Sequence, residues 1–70
     1  MAEYEVGIYN AEVRESVAEG RRHRNLTDDW AEIHYIDVDA TDLEGARATI
    51  LHRYPEKRGF VTDSVEKKKF

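Results

Sequence analysis

Residues 41–55 read TDLEGARATILHRYP, and the fold turns on how this stretch is read. Thr41 to Glu44 has the spacing of a capping box, in which a Thr hydroxyl and a Glu carboxylate satisfy each other's free backbone N–H groups at a helix start. From there Leu43, Ala46, Ile50 and Tyr54 recur at helical spacing with Leu51 at the stripe's edge, while Asp42, Gly45, Thr49, His52 and Arg53 face away. Pro55 ends the pattern, because a proline pushes the residue before it out of helical geometry. A helix with one apolar stripe must bury it against another layer, and the flanking sequence supplies strands.

Upstream, Trp30 to Val38 is rich in β-forming residues, with Trp30, His34, Ile36 and Val38 on one face and Ala31, Ile33 and Tyr35 on the other. Apolar residues on both faces predict a central strand. Downstream, a turn over Glu56–Gly59 leads into a last strand, Phe60–Val65, and residues 66–70 read as a frayed, lysine-rich tail. At the other end, Tyr4, Val6 and Ile8 alternate with Glu3, Glu5 and Gly7, the period of a half-buried strand over residues 3–9. Asn10 is a good helix cap, Glu12 and Glu15 suit the positive end of a helix dipole, and Val13 lies one turn before Val17. These features predict a short helix over residues 11–19, ended by Gly20. Residues 20–29 carry turn formers and charge and read as the longest exposed loop.

The expected architecture is therefore α+β: a small three-stranded sheet with two helices in β-α-β-α-β order, the second helix packed on one sheet face. The opposite face is left in water, and apolar residues pointing that way are candidates for a contact surface. Seventy residues make a single domain over 1–70 with a thin core. Apolar residues are 40% of the chain, and 37% are charged, which still leaves enough Val, Ile, Leu and aromatics to fold. With no cysteine there is neither a disulfide framework nor a zinc–thiolate site. That composition fits a reducing, cytoplasmic setting. No stretch approaches the roughly 18 apolar residues of a membrane span, and the N-terminus lacks the charged and apolar regions of a secretory signal.

The formal net charge is −4, but its distribution along the chain matters more. Between Asn25 and Ala46 there are seven carboxylates and no Lys or Arg. This acidic middle separates Arg21, Arg22 and Arg24 from Lys67, Lys68 and Lys69.

Groups for catalysis are sparse. His23 falls in the loop and His52 on the solvent face of the helix, leaving His34 as the one histidine within a strand; no pair has the local spacing of a metal-ligand set. Asp37 and Asp39 share a strand face and Asp28 and Asp29 are adjacent, so a metal-assisted hydrolase is a conceivable reading, but paired carboxylates need a cleft that one helix layer supplies poorly. Ser16 and Ser64 lie in regular elements, and the four glycines are too scattered to cradle a phosphate. The chain is expected to be non-catalytic, without metal or cofactor.

Binding is the better reading. Arg21, Arg22 and Arg24 with His23 suit phosphate contacts, which makes a nucleic-acid-binding accessory protein the alternative function, but the acidic block that follows would repel the same backbone. Asp28-Asp29-Trp30 places the one tryptophan beside this charged loop. Trp and Arg dominate interface hot spots, so the expected binding patch is Arg21, Arg22, Arg24, Asp28, Asp29 and Trp30, with a protein partner. The competing role for Trp30 is as the largest core residue. Exposed strand edges would also allow pairing of two copies into a homodimer.

From Ile33 onward, a strand, the segment Asp39-Ala40-Thr41-Asp42-Leu43-Glu44-Gly45-Ala46, a helix ending in Tyr54-Pro55, and Gly59-Phe60-Val61-Thr62 with Val65 together resemble small bacteriophage-encoded inhibitors of host RNA polymerase. The resemblance covers about half the chain, in its second half, and has no counterpart for the first strand and helix. It implies a phage protein that docks on a host enzyme through charged surface residues and a sheet edge, without a cofactor.

Overall fold

Alternation of large apolar and polar residues at the N-terminus builds the central element of the fold. In the computed structural model, which describes residues 2–68, β1 (Ala2–Asn10) lies between β2 (His34–Ala40) and β3 (Phe60–Lys67) and runs antiparallel to both. Tyr4, Val6 and Ile8 point to one side and are buried together with Val38 and Ala40 of β2 and Ala46 and Ile50 of α2 (Leu43–Arg53). Burial of each larger side chain in this set contributes about 1.5–3 kcal/mol. Since β2 and β3 are parallel to each other with β1 between them, α2 is the crossover of a split β-α-β unit. The Cα radius of gyration, 13.1 Å, exceeds the about 11 Å of an ideally compact chain of this length, as a sheet with one incomplete helix layer should.

The first helix, α1 (Ala11–Ala18), starts without a linker at the end of β1. Asn10 makes that junction possible. Its side chain is fully buried, its Oδ1 accepts from the Val13 N–H at 3.0 Å, and its Nδ2 donates to the Arg58 carbonyl at 3.0 Å. One residue thus caps α1 and ties it to the turn before β3. At the other end of α1, the Gly20 N–H donates to the Val17 carbonyl and the Arg21 N–H to that of Ser16, a double bond pattern that Gly20 permits with φ +73°. Val13 is buried while Val17 is 43% exposed, so this helix is anchored mainly through its first turn.

Several sequence expectations are corrected. Trp30 does not begin a strand: Asp28–Ala31 form a single 3-10 turn, and β2 starts at His34. Nor is β2 central. It is an edge strand, and the apolar residues that made it look two-sided, Ile33 and Tyr35, lean over Gly7 of β1. A Cβ on Gly7 would sit 3.1 Å from the Ile33 side chain, 3.2 Å from the Tyr35 ring and 2.8 Å from the Ser64 hydroxyl, so these groups fill the space a side chain would take.

The cap of α2 is Asp42 in place of Thr41: its carboxylate accepts from the Gly45 N–H at 2.7 Å. With the helix starting at Leu43, Glu44 stands one position too early to reach back, and the capping box does not form. Leu43 is 43% exposed and outside the core, whereas Ala46 and Ile50 of the same stripe are buried. Glu66 and Lys67, read as part of a frayed tail, pair with Glu5 and Tyr4, and the Lys68 N–H donates to the Glu3 carbonyl at 2.9 Å. Lys69 and Phe70 lie outside the described residues.

Candidate functional site

The 3-10 turn that displaces Trp30 from the sheet also sets it against aromatic residues from elsewhere in the chain. Its ring stacks on His34 (centroids 4.4 Å, 25°) and meets Phe60 edge-on (5.2 Å, 82°) and Tyr54 at a tilt (5.6 Å, 48°). Tyr54 and Phe60 also meet edge-to-face at 5.2 Å. Each such pair contributes about 0.5–1.5 kcal/mol beyond area burial. Trp30 is half-buried and packs on the edge of the core, a core satellite with part of its surface still open.

That open surface floors a cleft of ≈ 740 Å³ at the end of the sheet where β1 passes into α1 and β3 begins. The volume lies within the range of small-ligand and side-chain pockets. Leu26 and His23, from the loop after α1, form one wall; Arg53, Pro55, Lys57 and Arg58 form the other. Histidine chemistry shapes the first wall. The Asn25 and Leu26 N–H groups both donate to His23 Nδ1 (3.1 and 3.2 Å), so the ring proton resides on Nε2 and is donated to Glu12 at 3.0 Å. The second wall follows from the stop of α2: Tyr54 leaves helical geometry ahead of Pro55, and a 3-10 turn, Glu56–Arg58, closes on Gly59. Gly59 has φ +93°, and a Cβ there would lie 2.8 Å from the Asn10 side-chain oxygen, so only glycine turns the chain into β3 at this point.

Cations outnumber carboxylates in the cleft. Arg53, Lys57 and Arg58 are exposed and form no ion pair among the described residues. The one carboxylate in the lining, Glu12, is engaged by His23.

The sequence-predicted patch is brought together only in part. Trp30 reaches the cleft, but Arg21 is exposed and paired with Glu19, and Arg22 and Arg24 are exposed outside the lining. Asp28 and Asp29 are exposed in the turn that carries Trp30, and the Asp29 backbone carbonyl accepts from His34 Nε2 at 2.9 Å. Neither carboxylate pairs with a loop arginine. Arg14 holds the turn in place from α1, its Nε donating to the Ala31 carbonyl at 2.9 Å and its guanidinium lying 3.6 Å from the Tyr9 ring centroid.

Sequence reading passed over Tyr54, Phe60, Arg53, Lys57 and Arg58 as helix stripe, strand start and turn. A visible signal was there in the run 53–60, RYPEKRGF, where cations interleave with aromatic residues.

On the other side of the sheet no helix covers the strands. Asp37, Glu5 and Glu66 stand opposite one another across the three strands, and Glu3 stands opposite Asp39. Lys68 is the cation of this face, donating to Asp37 at 2.9 Å and to Glu3 at 3.2 Å; these two bonds raise its pKa above the ordinary 10.5. Tyr35 is 63% exposed beside them. Among the described residues no three His, Cys, Asp or Glu side chains converge as a metal site, and no helix is long and apolar enough to cross a membrane. Comparison of the chain with protein-family models, curated proteins and solved structures finds no match.

Proposed function

We propose that this chain is a small non-catalytic regulator that acts by binding another protein through the cleft at Trp30. One observation carries the reading: Trp30, Tyr54 and Phe60 open onto the same hollow as Arg53, Lys57 and Arg58, three cations with no carboxylate partner among the described residues. Trp, Tyr and Arg are the residue types that dominate protein-interface hot spots, and they act where a ring is partly desolvated beside charge. The resemblance of the second half to phage-encoded inhibitors puts a bacterial host enzyme, RNA polymerase first, at the head of the partners to test.

The test is stoichiometric capture, from bacterial lysate and with purified RNA polymerase, by the native chain and by variants. Trp30→Ala and, as a variant that leaves the aromatic packing alone, Arg53→Glu with Lys57→Glu should both lose the captured protein. Retention of the same partner by both variants would remove the cleft from the interaction. A second reading, a nucleic-acid accessory protein, has one observation in its favour: Arg22 and Arg24 are exposed and form no ion pair among the described residues. Labelled RNA and DNA titrated at two salt concentrations decide it, since phosphate contacts impose a steep salt dependence.

A further inference from the structure

We infer that the cleft takes an acidic segment of the partner protein, with an apolar side chain seated against Trp30 and Tyr54 and flanking carboxylates meeting Arg53, Lys57 and Arg58. This rests on the protein-binding reading above and specifies the chemistry of the occupant.

Charge makes the first argument. The chain has 15 acidic residues against 11 Lys and Arg. Lys68 is shared by two carboxylates and Arg21 takes Glu19, while Arg14, Arg22, Arg24 and Arg47, like the cleft cations, form no ion pair among the described residues. What sets Arg53, Lys57 and Arg58 apart is their place: one short wall holds all three beside aromatic rings, on the last turn of α2 and the 3-10 turn after it, with Glu56 directed to another hollow and Glu12 the one carboxylate in the lining. An anionic partner satisfies them without displacing an internal pair.

The arrangement of the rings makes the second. Proteins that bind single-stranded nucleic acid offer an open ring face on which a base stacks. In this cleft Trp30 has one face on His34, while Tyr54 and Phe60 stand tilted and edge-on against it, and those two meet each other edge-to-face. The rings use their faces on one another and present a ribbed apolar floor. Such a floor suits a Leu, Phe or Tyr side chain better than a flat base. A hollow of ≈ 740 Å³ is of a size to hold a short segment.

Because Trp30 is the one tryptophan of the chain, its emission reports occupancy of the cleft directly. The probes are a blocked peptide Asp-Glu-Phe-Leu-Glu-Asp, the same peptide with lysines in place of its acids, and oligothymidylate. The acidic peptide should shift Trp30 emission saturably, and the basic peptide should not. With Arg53→Glu and Arg58→Glu together, binding should fall about tenfold, the effect expected of two exposed charge pairs, and it should weaken further as salt is added. Both side chains are exposed, so an unchanged circular-dichroism spectrum is expected and separates lost binding from lost fold.

No saturable change at millimolar acidic peptide, binding indifferent to charge reversal, or tighter binding of oligothymidylate than of the peptide would each overturn the inference. The capture experiment stays distinct from these outcomes. A partner lost on charge reversal while the acidic peptide fails to bind leaves protein binding standing and discards only the acidic class of occupant. A partner retained by the cleft variants removes the underlying reading itself.

Discussion

The two sides of this one sheet treat charge in opposite ways. On the uncovered side, carboxylates line up across neighbouring strands at Asp37, Glu5 and Glu66, an arrangement that costs stability because like charges stand directly opposite, and Lys68 bridges two of the face's acids. On the covered side, at the Trp30 end, Arg53, Lys57 and Arg58 gather around aromatic rings and pair with nothing among the described residues. The uncovered face takes its sign from strand alternation, which sends every second residue of an acidic strand to the same side. The cleft takes its sign from where a helix happens to stop. The first is a local property of each strand, while the second exists only once Asn10, Pro55 and Gly59 have brought the start of α1 against the turn before β3.

The strongest way to break the comparison is Asn10→Ala, which removes the α1 cap, worth about 0.5–2 kcal/mol, and leaves the Arg58 carbonyl without its partner at a further cost of about 1–3 kcal/mol. Urea denaturation should show a loss of at least about 1.5 kcal/mol. A loss well below that would mean the cleft wall is held by something else. Next comes Trp30→Ala against Tyr35→Ala, one large aromatic residue from each side. Trp30 is half-buried within a cluster of rings, so its removal should cost about 2–3 kcal/mol, less than the about 3–5 of a fully buried ring. Tyr35, at 63% exposed, should change stability by no more than about 0.5 kcal/mol. Equal losses from the two would erase the distinction between the faces.

Gly7→Ala sharpens the picture of the uncovered face. The new Cβ would lie 2.8 Å from the Ser64 hydroxyl, and crowding should outweigh the gain from replacing a strand glycine, for a net loss of about 1 kcal/mol. Adding Ser64→Ala should recover much of that loss in a double-mutant cycle; strictly additive losses would mean the contact is relieved elsewhere. The smallest effect belongs to Lys68→Met. Bonds to Asp37 and Glu3 raise the Lys68 pKa, so its contribution is fully present below the ordinary 10.5 and is lost as pH rises through the higher folded-state value. Stability curves of the native chain and the variant should therefore differ slightly at neutral pH and converge in strong alkali. A gap that widens with rising pH would contradict the assignment.

Much of the fold was legible before any tertiary information. The alternation of Tyr4, Val6 and Ile8, the cap at Asn10, the stop at Gly20 and the stripe through Ala46 and Ile50 all follow from spacing and backbone chemistry, and each is found where spacing puts it. Less legible were boundaries decided by competition. Thr41 and Asp42 are both good caps, and Asp42 prevails by accepting from Gly45. Trp30 carries strand propensity but obeys the turn its neighbours make. The candidate site was read only at Trp30, because Arg53, Tyr54, Lys57, Arg58 and Phe60 lie more than twenty residues further along the chain.

What the sequence alone determined, then, is the element order, the α+β class and the faces that Tyr4, Val6 and Ile8 take, since these depend on interactions within a few residues. Tertiary structure decided that β1 is central, that Ile33 and Tyr35 cover a glycine instead of a second layer, and that unpaired cations meet aromatic rings at one cleft. The physical reason is distance along the chain. Periodicity fixes where a side chain points from its own backbone, but which distant backbone stands opposite is settled by the joint burial of Tyr4, Val6, Ile8 and Ile50 and by the two hydrogen bonds of one buried asparagine.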